Sequence, residues 1–373
     1  MILNRFLVFA CVACVASLVS ACMTDTASTS VSRGANDPEL TPSAFSLTPS
    51  FDTRACAIST GSPALLPEVF TTPEFYTAAG EIGDERRVTS FKSYFMRLSS
   101  RARVDESSAR VARDVILSIA QDDRMRWGSN WRNNSTNVFF FTVSALQPVA
   151  LEYYHQRSRF SSEERVIIED YLNLKWRGLS KTRVLQVPLT DNKLASYAAL
   201  SYSVGLATNN AAAKNAGVRA YRQVVQSMRA DGSNPLDSER AGSAVHYSNL
   251  NISSLVTTAE LAAIDGVDLF SYRGRNGGLN EAIDFLIAAT RDQRLIATYA
   301  RADGNGFAGF SPTNQDLRWR RSDHAAWVAL YARRFPNTDR TQQLLNLTGT
   351  QPIVSPQVSD HAGGNTLCWT RNR

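Results

Sequence analysis

The sequence predicts an all-α domain built from helical hairpins. From about Cys56 onward, apolar residues recur three or four positions apart, as at Val111, Val115 and Ile119, and this spacing is typical of helices with one buried face. No run of alternating polar and apolar residues predicts a strand, and strand–helix–strand alternation is absent from the pattern. Turn signals separate the helical segments at Asn209-Asn210, Asp231-Gly232, Asp265-Gly266 and Gly277-Gly278. With no internal repeat, residues 56–373 fit one helical domain.

The first residues have the pattern of a bacterial lipoprotein signal. Arg5 supplies the positive start, residues 6–18 are apolar but too few to span a bilayer, and small residues precede Cys22. We therefore expect residues 1–21 to be a signal peptide and Cys22 to carry lipid. An ordinary secretory signal with an incidental cysteine is the alternative. Met23 after the cysteine favours the outer membrane, so the sequence predicts a periplasmic protein anchored there by lipid.

Residues 22–55 are rich in Ser, Thr and Pro and have few large apolar side chains. Such a composition cannot bury enough apolar surface to fold, which predicts a flexible tether between the lipid and the domain. The lipid is the predicted contact with a membrane.

The cysteines indicate one disulfide. Of five cysteines, Cys11 and Cys14 leave with the signal and Cys22 is taken by lipid, so Cys56 and Cys368 remain. Two thiols near opposite ends of an exported domain predict a bridge between them. No Cys/His spacing resembles a zinc site, and we expect neither metal nor cofactor.

The charge balance argues against a nucleic-acid partner. The net charge is +6 and the isoelectric point about 9.1, but the positive charge is scattered arginine without a dense basic run. In an exported protein an arginine excess suits an acidic polymer. Plain solubility is the other interpretation, and charge alone does not decide between them.

The most informative segment is residues 231–247, which sets Arg240, His246 and Tyr247 at the head of a long apolar helix. Seven positions separate Arg240 from Tyr247, so on a helix both lie on one face. Arginine binds carboxylates, and tyrosine and histidine transfer protons. This combination suits removal of a proton next to a carboxylate. The alternative is a helix start with Arg240 solvated and Tyr247 packed.

Two blocks of the sequence resemble the alginate lyase family of polysaccharide lyases. Residues 231–269 resemble its pattern (N/D)-G-x-x-P-x-E-x-x-R-x-x-x-A-L-x-Y-H-N and the following helix, and residues 191–209 resemble its N-N-H-x-Y-W block. The two blocks align with the family without a gap between them. The resemblance implies an incomplete (α/α) toroid with a central groove. It also implies β-elimination on a uronate polymer without a metal.

The resemblance assigns roles residue by residue. It places Tyr247 on the family's proton-transfer tyrosine, Arg240 on its arginine and Asn192 on its carboxylate-binding asparagine. Lys193 stands where the family carries histidine. A protonated lysine would neutralise charge, whereas a lysine with a lowered pKa beside Arg240 could act as the base. His246 could restore the missing imidazole.

The aromatic pair of the family block is also absent. Ala195 and Ser196 occupy those positions, and Tyr197 comes one residue late. A sugar-stacking surface would then be missing, so the substrate could differ from alginate.

We therefore expect a lyase that cleaves a uronate-containing acidic exopolysaccharide. A glycan-binding or exopolysaccharide-assembly protein on the same fold is the first alternative, because Lys193, Ala195 and Ser196 depart from the family. A glycoside hydrolase is a more distant one, and it would need two carboxylates flanking a groove, for which Asp191, Asp237 and Glu239 are the candidates.

Overall fold

The computed structural model of this chain describes residue 56 and residues 82–125, 135–182, 185, 190–301, 307–355 and 357–369. The signal peptide, Cys22 and the tether lie outside these residues, and they stay predictions. None of the described helices is both long enough and apolar enough to cross a membrane.

Helices joined by short loops account for most of the described residues, as the sequence predicts. The longer ones are α1 (Ile82–Ala102), α2 (Glu106–Gln121), α3 (Ser135–Gln156), α4 (Ser162–Ser180), α5 (Asn192–Ala207), α6 (Ala211–Gln226), α8 (Ala244–Ile264), α9 (Leu279–Arg291), α11 (Trp327–Arg334) and α12 (Asp339–Thr348). Single-turn helices are α7 (Pro235–Ser238), α10 (Arg294–Ala297), α13 (Gln351–Val354) and α14 (Thr366–Trp369). Four 3₁₀ turns complete the helical part, at Arg157–Arg159, Ala241–Ser243, Arg318–Arg321 and Asp323–Ala325.

Several helices begin where a polar side chain can satisfy their free backbone N–H groups. Asp105 caps α2 through Ser108 N, and Ser161 with Glu164 forms a reciprocal capping box at the start of α4. Asp191 caps α5 by accepting from Lys193 N at 3.1 Å. The cap of α5 is therefore also the first residue of the block that resembles the lyases.

The longer helices alternate between two environments. In α5 every residue from Leu194 to Ala207 is buried, and α8 is buried on nearly all sides. By contrast, α6 buries one face, through residues such as Ala213, Ala220 and Val224. Helices buried all round form an inner layer, and amphipathic helices cover it.

Inner helices α5 and α8 each pack against the outer helix that follows them. Helix α5 packs against α6 and against its inner neighbours α3 and α8, while α8 packs against α9 and α11. Side chains join the successive inner helices. Phe139 near the start of α3 contacts Tyr197 of α5, and Ser196 of α5 contacts Ser254 of α8. This arrangement is an incomplete (α/α) toroid, as predicted.

A short C-terminal hairpin enters the inner layer, a feature that the sequence does not predict. Strands β1 (Val358–Ser359) and β2 (Gly364–Asn365) pair antiparallel, and His361 in their turn is buried. Thr257 Oγ1 donates to His361 O at 3.0 Å. The turn fits because Gly363 has a φ of +76° and a Cβ there would meet Leu151 Cδ1 at 2.9 Å.

Three contacts hold the hairpin in place. Cys56 and Cys368 form the disulfide that the sequence predicts, with their Cα atoms 4.6 Å apart. Asn365 Nδ2 donates to Cys56 O at 3.1 Å, and Lys92 Nζ of α1 pairs with Asp360 Oδ2 at 2.6 Å. The two ends of the described chain are therefore tied together beside His361.

We expect that Cys368→Ser lowers the free energy of unfolding by roughly 2–4 kcal/mol, because the bridge closes a long loop in the unfolded chain. Urea unfolding of the variant and the wild type, each without reductant, gives this difference. Mass spectrometry of unreduced wild-type protein should show no free thiol at Cys56 or Cys368. Finding both thiols free would contradict the bridge.

His361 should make the fold sensitive to acid. Burial lowers its pKa from 6.5 to about 4. Between these values the unfolded chain binds more protons than the folded one, so stability is full above about pH 6.5 and falls as the pH drops towards 4. His361→Gln should reduce the slope of unfolding free energy against pH in this window. An unchanged slope in chemical unfolding series would show that His361 is not the group responsible.

Candidate active site

A buried carboxylate organises the charged groups of the site. Asp191 is 1% exposed, and its Oδ2 accepts from Lys193 Nζ at 2.6 Å and from Arg240 NH2 at 3.3 Å. Removing one partner of a buried ion pair leaves the charge of the other uncompensated. Asp191, Lys193 and Arg240 therefore stabilise one another. Asp191 thereby holds the two predicted cations side by side, with one net positive charge among the three.

Arg240 and Tyr247 lie together, but not for the reason that their spacing indicates. Helix α8 begins at Ala244, so the two residues do not share a helix face. Between them lies the 3₁₀ turn Ala241–Ser243, in which Ala241 has a φ of +44°. This left-handed turn brings the Arg240 guanidinium carbon to 4.9 Å from the centre of the Tyr247 ring. The predicted juxtaposition is therefore present, and the helical explanation of it is wrong.

The segment 307–316 holds this strained turn in place. Gln315 Nε2 donates to Ala241 O at 2.8 Å, and its Oε1 accepts from Val245 N at 3.1 Å. Asp316 N donates to Gly242 O at 2.7 Å. Gly242 lies so close to this segment that a Cβ would meet Ser311 N at 2.3 Å. Glycine at position 242 is required by this contact.

Tyr247 contacts both a cation and an aromatic ring. The Arg240 guanidinium lies over its ring, and the Phe307 ring stacks with it at 5.9 Å with an interplanar angle of 22°. Burial raises the pKa of the Tyr247 phenol, and the nearby Arg240 charge partly opposes this rise. At neutral pH the phenol is therefore protonated and can donate its proton.

His246 belongs to a neighbouring aromatic cluster. Its ring centre is 5.6 Å from that of Tyr247, 5.2 Å from that of Phe307 and 5.0 Å from that of His324. Burial, with a smaller contribution from His324, lowers the pKa of His246 to about 4. The imidazole is consequently neutral at pH 7 and able to accept a proton. His246 therefore has the protonation state that a replacement for the family's histidine needs.

Asn192 is fixed by a second buried carboxylate. Asp237 Oδ1 accepts from Asn192 N at 3.2 Å, and Asp237 Oδ2 accepts from Asn251 Nδ2 at 2.6 Å. Burial and the charge of Asp191 raise the pKa of Asp237 well above its ordinary value. The Asn192 side-chain oxygen is buried and makes no hydrogen bond with any residue that the structure describes. Because this oxygen can only accept hydrogen bonds, a carboxylate ligand would bind the amide Nδ2 of Asn192, which can donate.

The positions that lack the aromatic pair are buried. Ala195 is fully buried, and Ser196 Oγ lies 3.4 Å from His361 Nδ1 and 3.2 Å from Ser254 Oγ. Ser196 also donates to Asn192 O at 2.8 Å. An imidazole from the C-terminal hairpin thus lies beside Ser196, one helical turn below Asn192.

The candidate residues for other chemistries have structural partners. Asp191 and Asp237 are buried beside each other, and Glu239 pairs with Arg229 and Arg301, so these carboxylates do not flank a groove as a glycoside hydrolase requires. Within the described ranges, no cluster of His, Cys, Asp and Glu could hold a metal ion. The residues named for the site are those that could bind a carboxylate and move protons.

Sequence reasoning missed three contributors to the site. The sequence indicated Asp191 only as a candidate carboxylate of a glycoside hydrolase. Its position two residues before Lys193 is the signal that could have predicted an ion pair between the two side chains. Phe307 and His361 lie far along the chain from Tyr247 and Ser196, and no local pattern links them. His361 lies in the Gly-rich C-terminal segment, in a turn that is buried.

Comparison with known proteins finds the family that the two sequence blocks resemble. The Alginate lyase family model matches residues 123–296, which include Asn192, Lys193, Arg240 and Tyr247. A polysaccharide lyase of Stenotrophomonas maltophilia strain K279a is 27% identical over 245 residues, covering 62% of this chain and 70% of that protein.

Solved structures of alginate lyases share the fold. Alginate lyase A1-III from Sphingomonas species A1 superposes with a TM-score of 0.65 at 16% identity and covers 78% of each chain. A Tyr-to-Phe variant of alginate lyase A1-III, complexed with tetrasaccharide, gives 0.66 at 15% identity and covers 90% of this chain and 97% of its own. An alginate lyase from Bacteroides ovatus gives 0.53 at 12% identity, covering 72% and 73%. At these identities the likeness establishes the toroid fold.

The family match spans both sequence blocks, and the structure brings their predicted site residues together. The low identities agree with the departures at Lys193, Ala195 and Ser196. By its family-model match over residues 123–296, its polysaccharide lyase relative and its toroid fold, the chain resembles the alginate lyases, and it is a polysaccharide lyase.

Proposed function

We propose that this lyase cleaves a uronate-containing acidic polysaccharide, similar to alginate, by β-elimination. The observation that carries the proposal is the placement of the Arg240 guanidinium over the Tyr247 ring. Lys193 lies beside Arg240, because both side chains bind the carboxylate of Asp191. A uronate presents a carboxylate beside the carbon that must lose its proton. The site offers positive charge and a phenol at one place, as that reaction needs.

The first requirement of the reaction is neutralisation of the substrate carboxylate. The proton on the neighbouring carbon is barely acidic while the carboxylate keeps its full charge, so cations that stabilise the enolate lower the barrier. Asp191 cancels only one of the two cationic charges of Lys193 and Arg240. The raised pKa of Asp237 favours its neutral form, which preserves the remaining positive charge. Asn192 adds a polar contact for the same carboxylate.

The second requirement is proton transfer. The bond from the carbon to its proton breaks, its electrons form a double bond to the adjacent carbon, and the glycosidic oxygen leaves with a proton. Tyr247 moves these protons in sequence. Its phenol first gives its proton to a neighbouring base, and the phenolate, stabilised by Arg240, accepts the proton from carbon. The phenol formed in this way then donates that proton to the leaving oxygen. His246 is the neighbouring neutral imidazole that can share the proton.

Ultraviolet absorbance during incubation with a panel of polyuronates tests the proposed function. Elimination creates a double bond conjugated with the carboxylate and so raises absorbance, whereas hydrolysis creates none. The panel should include polymers of mannuronate, guluronate and glucuronate, because the site residues do not distinguish them. Absence of an absorbance rise on every polymer would overturn the proposal and favour a glycan-binding role.

Tyr247→Phe should lower the elimination rate by about a hundredfold or more, because only the phenolic proton is lost. The ring keeps its contacts with Arg240 and Phe307, so folding and binding should be nearly unchanged. Initial rates and thermal unfolding measure the two effects. Tyr272→Phe, which removes a phenol that accepts from Gln226 on the surface, is the matched control. A rate within a few-fold of wild type would show that Tyr247 does not transfer the proton.

Lys193→Arg should keep appreciable activity with little change in the pH profile, because we assign Lys193 to charge neutralisation. Its ammonium pairs with Asp191 at 2.6 Å, a contact that an arginine can also make. If Lys193 were the base, the arginine variant would be inactive, since arginine does not lose its proton in proteins. Lys193→Gln, which removes the charge, should lower the rate in either case.

A further inference from the structure

A cleft lies between helix α1 and the 3₁₀ turns that precede α11 in the described part of the chain. The C-terminal hairpin lies across it, with Val358 and Asp360 in its wall. The cleft has a volume of about 760 Å³. Pockets of about 300–1,000 Å³ hold drug-sized ligands, so this cleft has room for more than one sugar residue.

The cleft is continuous with the wall of the active site. His324 lines the cleft, and its ring centre is 5.0 Å from that of His246, which in turn contacts Tyr247. Asn249 Nδ2 of α8 donates to His324 O at 3.0 Å, so the shared wall is held to the same helix that carries Tyr247. A polymer bound at Tyr247 could therefore continue past His324 into the cleft.

The charges of the cleft suit an anionic ligand. Its cations are Lys92, Arg97 and Arg321, and its carboxylates are Asp323 and Asp360, which leaves one net positive charge. Lys92 and Asp360 neutralise each other at 2.6 Å. Arg97 and Arg321 are exposed and form no ion pair with any residue in the described part of the chain.

We propose that this cleft is a distal subsite, in which Arg97 and Arg321 bind carboxylates of uronate residues beyond the bond that is cleaved. This inference rests on the proposed function. Because each further uronate brings one more carboxylate, the subsite favours long chains over short ones. The two arginines come from opposite sides of the cleft, so a chain bound in it lies between them.

The test compares chain lengths. For wild-type protein, kcat/KM should rise as oligouronates become long enough to reach the cleft. Arg97→Gln and Arg321→Gln should each reduce kcat/KM on long oligomers by ~2–5-fold, the range for an exposed charge pair, with little effect on the shortest cleaved oligomer. The double variant should lose most of the rise. Added salt should weaken the wild-type preference, because exposed charge pairs are screened.

Arg222→Gln is the matched control. Arg222 is also exposed, but it lies on the outer helix α6 over the Tyr272 ring. This variant should retain the wild-type dependence on chain length. If the double variant of Arg97 and Arg321 also retained it, the subsite proposal would be overturned.

A direct binding measurement separates the two proposals. If the wild type eliminates no polyuronate, the proposed reaction fails, and calorimetric titration of long oligouronates into wild type and the double variant then decides the subsite. A loss of affinity of ~5-fold or more in the double variant would support the cleft as a carboxylate site. Equal affinities, or no binding to wild type, would refute it.

Discussion

The arrangement of the active site depends on the ion pairs of Asp191. This one side chain caps α5, accepts from the Lys193 ammonium and accepts from Arg240, which precedes α8. Losing one partner of a buried ion pair typically costs about 3–5 kcal/mol of stability. The start of α5, the position of Lys193 and the turn that carries Arg240 are therefore constrained together. Lys193, a departure from the family pattern, is thus compensated by Asp191. The anion holds the cation, and the net charge offered to a substrate carboxylate stays at one.

A second constraint is the C-terminal hairpin, which supplies part of the inner layer from the far end of the chain. His361 lies against Ser196, at a position where the family carries an aromatic residue, and the small serine leaves room for the imidazole. The hairpin can occupy this place because glycine at 363 allows a left-handed turn against Leu151 and because Cys368 is tied to Cys56. The absence of the aromatic pair consequently does not leave an empty surface in the groove. The position of Ser196 is buried, and a different ring packs beside it.

Much of this molecule could be predicted from local patterns, and the remainder depends on contacts between distant residues. Helical periodicity and turn signals predicted the helices, since each helix buries a face that repeats within its own sequence. Arg240 and Tyr247 were predicted to lie together through helical spacing, yet a strained turn at Ala241 joins them, and its support comes from Gln315. The contacts of His361 with Ser196 and of Phe307 with Tyr247 span many helices, and no spacing rule could indicate them. Lys193 was correctly noticed as a departure, but its role depends on Asp191, whose contribution appears only when both side chains are seen together.

The cleft between α1 and the turns that precede α11 connects these constraints. It gives a polymer bound at Tyr247 a path along the described residues beyond His324. The hairpin lies across this path and lines its wall, and its Asp360 is neutralised by Lys92, so the carboxylate in the wall does not repel an anionic chain. Arg97 and Arg321 keep their charges unpaired among the described residues, one on each side of the cleft. Between the positive group at Asp191 and the cleft lie Tyr247 and the neutral imidazole of His246, which contacts His324 in the cleft wall. This spacing of positive regions suits a polymer that carries one carboxylate on every sugar.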